Sequence, residues 1–224
     1  MKTIIYVDGY NLFYGCLKHS RDKWLDLNAL LVDRVLRAQA PGSKLLAIKF
    51  FTADIKAKVA SRGDKAQQAQ QSYHRALRAL YPDTIQIIKG YYSLEKAHLP
   101  VHQTPPDKDR RVAVWRLEEK QTDVNIAVAA YRDALKTDAR QLVFVSNDTD
   151  LAPVLAALRE DLGHMIRLGV VIPVRSGKGR AGNAQLSRYS DWTRRHFTDQ
   201  ELRESQLPDR IATGRKPIRK PSYW

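Results

Sequence analysis

The chain has 224 residues, 43% of them apolar, which is enough to bury a sizeable core in one large domain or in a domain with an appendage. It carries 38 Lys and Arg against 24 Asp and Glu, and the resulting net charge of +14 is typical of a protein that binds a polyanion. No apolar run approaches the roughly 18 residues of a membrane-spanning helix, and the start lacks a cleavable signal, which predicts a cytoplasmic protein without a membrane partner. The single cysteine, Cys16, excludes an internal disulfide.

The positive charge is concentrated towards the end of the chain. Residues 175–224 contain 12 basic and 5 acidic side chains, which is half of the net charge in less than a quarter of the sequence. A basic surface that served solubility alone has no reason to be so uneven. The distribution therefore favours an RNA or DNA partner.

Apolar runs of strand length alternate with segments that have helical spacing. We predict strands at residues 2–7, 44–51, 84–90, 141–146 and 165–172. Between them, helical spacing is found in "LDLNALLVDRVLRAQ", "GDKAQQAQQSYHRALRAL", "TDVNIAVAAYRDALK" and "LAPVLAALRED". This alternation predicts an α/β fold, with a mainly parallel central sheet and helices on both of its faces.

Several later segments depart from this alternation. The Pro-rich stretch "EKAHLPVHQTPPDKDRRVAVW" predicts an excursion or short hairpin that faces the substrate. A basic glycine-containing loop is predicted at "PVRSGKGRAGNAQ", and helices are predicted around "LSRYSDWTRRHF" and "TDQELRESQL". The last stretch, "PDRIATGRKPIRKPSYW", has three prolines and five Lys or Arg without apolar periodicity. We therefore predict one domain over residues 1–200, and a helix end with a flexible basic tail over residues 201–224.

Aspartates directly follow two of the predicted strands. Asp8 ends "IIYVD", and "LVFVSNDTD" places Asp148 and Asp150 after the fourth predicted strand. Because ligands of open parallel sheets bind at the carboxyl ends of the strands, these side chains meet at one edge if the two strands are neighbours. In "KQTDVNIA", Thr122 fits a helix N-cap, which puts Asp123 in the first turn of a helix that starts at the same edge.

Four carboxylates in one pocket predict a bound cation, because they otherwise repel one another and raise their own pKa values. Oxygen ligands without Cys or His at metal spacing favour Mg²⁺ or Mn²⁺ over Zn²⁺. Beside a basic surface, such a site suits phosphodiester hydrolysis, since the metal activates a water and stabilises charge on the phosphate. Asn11 can hold a phosphate or the attacking water without adding negative charge. Each aspartate alone is more often a helix cap or turn former, so the joint pattern carries the prediction.

Three blocks, "YVDGYNL", "KQTDVNIA" and "SNDTDLAPVL", resemble in this order the signature blocks of NYN-domain proteins, a branch of the PIN-like nucleases. The resemblance covers about residues 2–200 and implies a Rossmann-like PIN/NYN fold and a metal-dependent ribonuclease, expected to be endonucleolytic. It implies a metal site formed by Asp8, Asp123, Asp148 and Asp150, with Asn11 beside them. Asn147 stands where the family often has the glycine of Ser-Gly-Asp, and asparagine tolerates the same left-handed turn.

Basic and aromatic side chains are candidates for contacts with nucleic acid. Contacts with the sugar-phosphate backbone are assigned first to Arg175, Lys178 and Arg180, then to Arg110 and Arg111, with Lys120 either touching a phosphate or solvated. Stacking on unpaired bases is an alternative to packing for Tyr91, Tyr92 and Trp115. Sites of this family often include a glutamate, and Glu118 and Glu119 are both candidates, with surface salt bridges favoured for each.

Two other functions remain open at this point. One is a non-catalytic RNA-binding or regulatory protein that keeps an acidic pocket for structure. The other is a phosphatase like the haloacid dehalogenases, which also place an aspartate after the first strand, but which need a second aspartate where this chain has Tyr10. A protein regulator or antitoxin, and assembly into a homo-oligomer, are left open by the sequence.

Overall fold

The computed structural model describes residues 1–177, 184–214 and 216–224. Within these residues the main strands are β1 (Lys2–Asp8), β2 (Lys44–Ala53), β3 (Ile85–Pro100), β4 (Arg111–Lys120), β5 (Gln141–Val145), β6 (Arg167–Val171) and β7 (Trp192–Arg194). They form a seven-stranded sheet in the order β4-β3-β2-β1-β5-β6-β7. Every neighbouring pair is parallel except β3 with β4. The predicted mainly parallel sheet is therefore confirmed.

Helices cover both faces of this sheet. They are α1 (Gly9–Leu12), which continues as a π-helical turn (Phe13–Leu17), a π-helical segment (Ala29–Leu36) that leads into α2 (Arg37–Gln39), α3 (Gly63–Leu80), α4 (Thr122–Lys136), α5 (Ala152–Leu162), α6 (Ala184–Tyr189) and α7 (Asp199–Glu204). Among the residues described, no helix is long and apolar enough to cross a membrane.

Strand β1 shows why its sequence is a continuous apolar run. Ile5 and Val7 pack into a core on one face of the sheet, together with Leu77 of α3. Tyr6 belongs to a second core on the other face, together with Leu155 of α5. Because successive side chains of a strand point to opposite faces, a strand buried on both sides needs apolar residues on both faces, as in the run from Ile4 to Val7.

The segment predicted as a helix around "LSRYSDWTRRHF" is helical only in its first half. Helix α6 ends at Tyr189, and the chain then forms β7, which pairs in parallel with β6. Asp191 fixes this break, because its carboxylate accepts hydrogen bonds from the backbone N–H of Leu168 (2.6 Å) and from Arg159 (2.8 Å). The helix prediction for the second half was therefore wrong, since these partners are distant in sequence.

The Pro-rich stretch contributes to a hairpin that is longer than predicted. β3 continues for ten residues beyond Gly90, the last residue paired with β2, and pairs there with β4 from Tyr91↔Lys120 to Pro100↔Arg111. At roughly 3.3 Å per residue, the hairpin extends about 30 Å past the sheet. Whether it faces a substrate stays a prediction.

The end of the chain packs on the core instead of forming the flexible tail that we predicted. Two short strands, β8 (Arg210–Ile211) and β9 (Ile218–Arg219), pair with each other, and both isoleucines are buried. The ring of Trp224 lies 6.2 Å from that of Trp24 and 5.8 Å from that of Tyr73, centroid to centroid. These apolar residues have no local periodicity, because they fill a surface formed by distant parts of the chain.

Candidate metal centre and nucleic-acid interface

The order of the strands reverses between β1 and β5. From β1 the chain proceeds outward through β2 and β3, whereas β5, β6 and β7 lie on its other side. Val7 is in register with Val145, so Asp8 and the residues that follow β5 emerge side by side at the carboxyl edge. Ligands of open α/β sheets bind at such a reversal point.

Asp8 is the buried centre of this edge, with 2% of its surface exposed. Its carboxylate accepts hydrogen bonds from the backbone N–H of Asn11 (2.9 Å), the side-chain amide of Asn11 (2.7 Å) and the hydroxyl of Ser146 (2.8 Å). Burial raises the pKa of Asp8, against these hydrogen bonds, which lower it. The role that we predicted for Asn11, holding a phosphate or water, stays untested. In the structure its amide holds Asp8 in place.

The next residue must be glycine for the chain to turn here. A Cβ on Gly9 would lie 2.6 Å from the carbonyl oxygen of Phe51 in the neighbouring strand β2. No side chain fits at that distance, so the glycine lets α1 start directly against the sheet. Asp8 then serves as the N-cap of α1, since it accepts from the N–H of Asn11.

Ser146 was missed by the sequence analysis and links the two acidic segments. Its buried hydroxyl donates to Asp8 and accepts from the N–H of Asp148 at 3.1 Å. Asp148 in turn accepts from the N–H of Asp150 at 3.0 Å and caps a short 3₁₀ turn. The signal in the sequence was a hydroxyl directly after a buried strand.

Helix α4 brings Asp123 to the same edge, as predicted, but its N-cap differs by one residue. Gln121, with φ of 72°, is the N-cap, while Thr122 is the buried first residue of the helix and donates to Glu119 at 2.5 Å. Gly90 makes this approach possible, because a Cβ there would lie 2.5 Å from the carbonyl oxygen of Lys120.

The carboxylates at this edge influence one another. Burial, together with the smaller effects of the negative charges of Asp8, Asp148, Asp150 and Glu119, raises the pKa of Asp123 to about 6. Burial also raises the pKa of Glu119, with a contribution from Asp8. Mutual repulsion of this kind is expected where acidic groups are gathered for a cation.

The two candidate glutamates differ in role. Glu118 forms the surface salt bridges that we favoured, with Arg116 and with Lys120, so the ammonium group of Lys120 is paired with an acid. Glu119 instead faces the acidic edge through its hydrogen bond with Thr122. The salt-bridge interpretation was therefore wrong for Glu119, whose charge instead interacts with Asp8 and Asp123 at this edge.

The oxygen atoms of these acids are suitable ligands for a hard cation, but the side chains do not surround a common point in this structure. Within residues 1–177, 184–214 and 216–224, no three acidic, His or Cys side chains are gathered closely enough to hold an ion as they stand. The acids that converge supply carboxylate oxygens, the ligands that Mg²⁺ and Mn²⁺ take. Of the predicted ligands, Asp8 is committed to three hydrogen bonds.

The basic residues predicted to contact nucleic acid are mostly engaged elsewhere. Arg175, which is half-buried, pairs with Asp22 and with Asp199 (2.6 Å) and donates to the carbonyl oxygen of Cys16 (2.7 Å); these partners compete with its predicted contact with a phosphate, which stays a prediction. These partners satisfy its guanidinium group inside the protein. Lys178 and Arg180 lie outside the described residues.

The arginines of the hairpin lie far from the acidic edge. Arg111 donates to the carbonyl oxygen of His98 (2.8 Å), and Arg110 donates to Gln103 (3.0 Å). Both are at the distal end of β4 or just before it, about 30 Å along the strands from Gly90. A contact of these residues with nucleic acid stays a prediction, but it cannot be at the carboxylates themselves.

A Rossmann-like sheet with acidic side chains at its reversal point is the arrangement expected of a protein of the PIN-like class. Residues 2–173 match the family model described as "NYN domain", and the chain belongs to the NYN family. Membership of this family suggests a nuclease, and nucleases of the PIN-like class usually use divalent metals.

Two proteins similar to this chain carry different descriptions. "6-hydroxy-3-succinoylpyridine 3-monooxygenase HspA" of Pseudomonas putida is 40% identical across 100% of this chain and 75% of its own length. A crystal structure of a protein of unknown function from Vibrio parahaemolyticus RIMD 2210633 has a TM-score of 0.50 at 17% identity, over 88% of this chain and 93% of that one. The second similarity concerns the fold alone.

Proposed function

We propose that the protein is a metal-dependent ribonuclease that hydrolyses phosphodiester bonds of RNA at the carboxyl edge between β1 and β5, by endonucleolytic cleavage. The observation that carries this proposal is the convergence of acidic side chains at that edge, where burial and the charges of the neighbouring acids together raise the pKa of Asp123 to about 6. The net charge of +14 supports a polyanionic substrate, because it attracts RNA to a protein whose site is itself acidic.

A Mg²⁺ or Mn²⁺ ion would be held by Asp8, Asp123, Asp148 and Asp150, with Glu119 as a further candidate ligand. When bound, such an ion stabilises negative charge on the phosphate and makes water a better nucleophile at neutral pH. The chain's own contribution is to position its acids. Asn11 and Ser146 hold Asp8, and the 3₁₀ turn capped by Asp148 presents Asp150 at the same edge.

The test is cleavage of a labelled RNA pool, with single-stranded and structured members, in Mn²⁺, Mg²⁺ or EDTA. Asp148→Asn is the suitable variant, because Asp8 is buried and its loss threatens folding. Asp83→Asn is the matched control, since Asp83 is exposed and precedes β3 at the opposite edge of the sheet. We expect metal-dependent cutting by wild type and the control, and RNA binding without cutting by Asp148→Asn.

Other outcomes identify the alternatives. RNA binding that is equal in all three proteins, without cutting in any metal, would contradict the nuclease and favour a non-catalytic RNA-binding or regulatory protein. Cleavage of DNA at a comparable rate would widen the substrate to both nucleic acids. The same samples, analysed by size in solution, would test self-association.

A second candidate function rests on the 40% identical relative, whose name describes oxygenation of a hydroxylated pyridine. A monooxygenase consumes O₂ and two electrons from a reductant, so the test supplies 6-hydroxy-3-succinoylpyridine, air and a reduced nicotinamide or flavin. Loss of the pyridine that depends on the protein and on the reductant would support this function. RNA cleavage that the Asp148→Asn protein lacks would favour the nuclease.

A further inference from the structure

Three aromatic side chains stand together on the surface of the turn that follows Asp8. Tyr10, Phe13 and Tyr14 are 42%, 36% and 44% exposed. The ring centroids of Tyr10 and Tyr14 are 4.3 Å apart, and those of Phe13 and Tyr14 are 5.3 Å apart. We call this cluster the aromatic platform.

The aromatic platform is not needed to bury the turn on which it stands. Leu12, Cys16 and Leu17 of the same turn fill the core, so the aromatic residues occupy the opposite face. Because more than a third of each residue is exposed, part of the gain from burying these rings is forgone, and exposed apolar patches of this kind mark binding surfaces. Exposed aromatic rings bind other planar π systems by offset stacking or by edge-to-face contact.

The aromatic platform adjoins the carboxylates. Tyr10 immediately precedes Asn11, whose amide holds Asp8. Both residues belong to α1, the helix that Asp8 caps. A ligand bound on the rings therefore lies beside the proposed metal.

A positive charge completes this surface. The ammonium group of Lys18, an exposed residue, lies 4.6 Å from the ring centroid of Tyr14. A cation over a ring face is attracted by the π system and still offers its other donors to solvent or to an anion. Aromatic rings can stack on a base, and an ammonium group beside them can bind a phosphate, so the surface matches the two parts of a nucleotide.

We propose that the aromatic platform binds an unpaired nucleobase of the RNA, with Lys18 facing the adjoining phosphate. This inference rests on the proposed function and specifies its substrate as single-stranded RNA. A base within a duplex is already stacked on both sides and cannot lie on a protein ring without being extruded. The shared chemistry, a planar heteroaromatic ring, also includes a free hydroxylated pyridine, so the test must separate the two sources.

The experiment measures binding of a labelled single-stranded RNA in EDTA, so that binding is read without cleavage. Wild type, Tyr14→Leu and Tyr14→Phe are each titrated with the intact RNA and with RNAs in which one nucleotide at a time is abasic. Tyr14→Phe keeps the ring, whereas Tyr14→Leu keeps apolar bulk and loses the π face. Circular dichroism and urea unfolding check folding, and Tyr10→Leu replaces the leucine variant if it does not fold.

The expected result is a loss of affinity of about 5- to 150-fold for intact RNA in Tyr14→Leu, the range that one stacked base provides, and near wild-type binding in Tyr14→Phe. Removing the base at one position of the RNA should lower the affinity of wild type by a similar factor. The same change should lower the affinity of Tyr14→Leu hardly any further. Equal binding by wild type and Tyr14→Leu, or the same loss for every abasic RNA and for a duplex, would overturn the proposal.

Three further outcomes separate this proposal from the proposed function and from binding of a free pyridine. If wild type cuts RNA in Mn²⁺ and Tyr14→Leu binds and cuts equally well, the nuclease stands and the aromatic platform is not its base site. If the base-dependent binding is found but no metal gives cutting, the base site stands and the nuclease falls. If free 6-hydroxy-3-succinoylpyridine binds in a manner that needs Tyr14 while RNA does not bind, the assignment to a nucleobase is overturned.

Discussion

Replacing Asp123 by asparagine should make the metal-free protein more stable at neutral pH, although it removes a proposed metal ligand. Asp123 lies in the first turn of α4, partly buried, and its pKa is raised to about 6 by burial and by neighbouring acids. A carboxyl whose pKa is raised on folding binds more protons in the folded than in the unfolded state. Ionised Asp123 therefore destabilises the fold, and the neutral amide of asparagine does not.

The magnitude follows from the rise of the pKa from its ordinary value of 3.8 to about 6. At about 1.4 kcal/mol per pKa unit this is about 3 kcal/mol, which we reduce to about 1–2 kcal/mol because the side chain is partly solvated. Asparagine also loses the attraction between a carboxylate and the helix N-terminus, which offsets about 0.5 kcal/mol of this gain. A net gain of about 1 kcal/mol in the free energy of unfolding remains. The penalty develops as the pH rises from about 4 to 6 and is complete above that window.

The assay is urea unfolding of wild type, Asp123→Asn and the control Asp83→Asn in EDTA, at pH 7.5 and at pH 4.5. We expect Asp123→Asn to have a higher free energy of unfolding than wild type at pH 7.5 and the same free energy of unfolding at pH 4.5. The control should match wild type at both pH values. Mn²⁺ should stabilise wild type more than the variant, since a bound ion relieves the repulsion. An Asp123→Asn protein that is 1 kcal/mol less stable than wild type at pH 7.5 would refute the reasoning.

Three further predictions concern the fold. Burial lowers the pKa of His74 to about 4, so stability should fall by up to about 3 kcal/mol as the pH drops from 6.5 to 4, and His74→Gln should flatten this slope in urea unfolding. Arg175→Ala should lower the free energy of unfolding by about 3 kcal/mol, because it leaves the poorly exposed Asp22 unpaired. The RNA affinity of the folded variant should stay near that of wild type, and a tenfold loss of affinity would support the predicted phosphate contact. Trp224→Ala should cost about 2 kcal/mol of the free energy of unfolding, whereas an unchanged urea midpoint would mean that the chain end is not docked.

The sheet and its helices could be predicted because their signals are local. Runs such as the one before Asp8 are apolar at every position, and α3 and α4 have the bounds predicted from their spacing. Acids at the end of β1 and shortly after the neighbouring β5 also indicated the acidic edge, because the carboxyl ends of parallel strands necessarily share one edge of a sheet.

What was missed depends on contacts between distant residues. Arg175 meets Asp22 more than 150 positions away, so nothing near it in the sequence distinguishes a buried ion pair from a phosphate contact. Trp224 packs on Trp24 across nearly the whole chain. Glu119 and its neighbour Glu118 differ only in the face of β4 on which they lie, and the strand itself was not predicted over those residues.

The central claim is that the acids between β1 and β5 hold the cation that drives RNA hydrolysis, and a single-turnover experiment tests it most directly. Labelled single-stranded RNA is first bound to an excess of metal-free protein, either wild type or Asp148→Asn. Mn²⁺ is then added. The account predicts cleavage that starts only on addition of the metal, with a rate at least about 100-fold lower in the variant at equal RNA occupancy. Cleavage that precedes the metal, or equal rates in the two proteins, would contradict it.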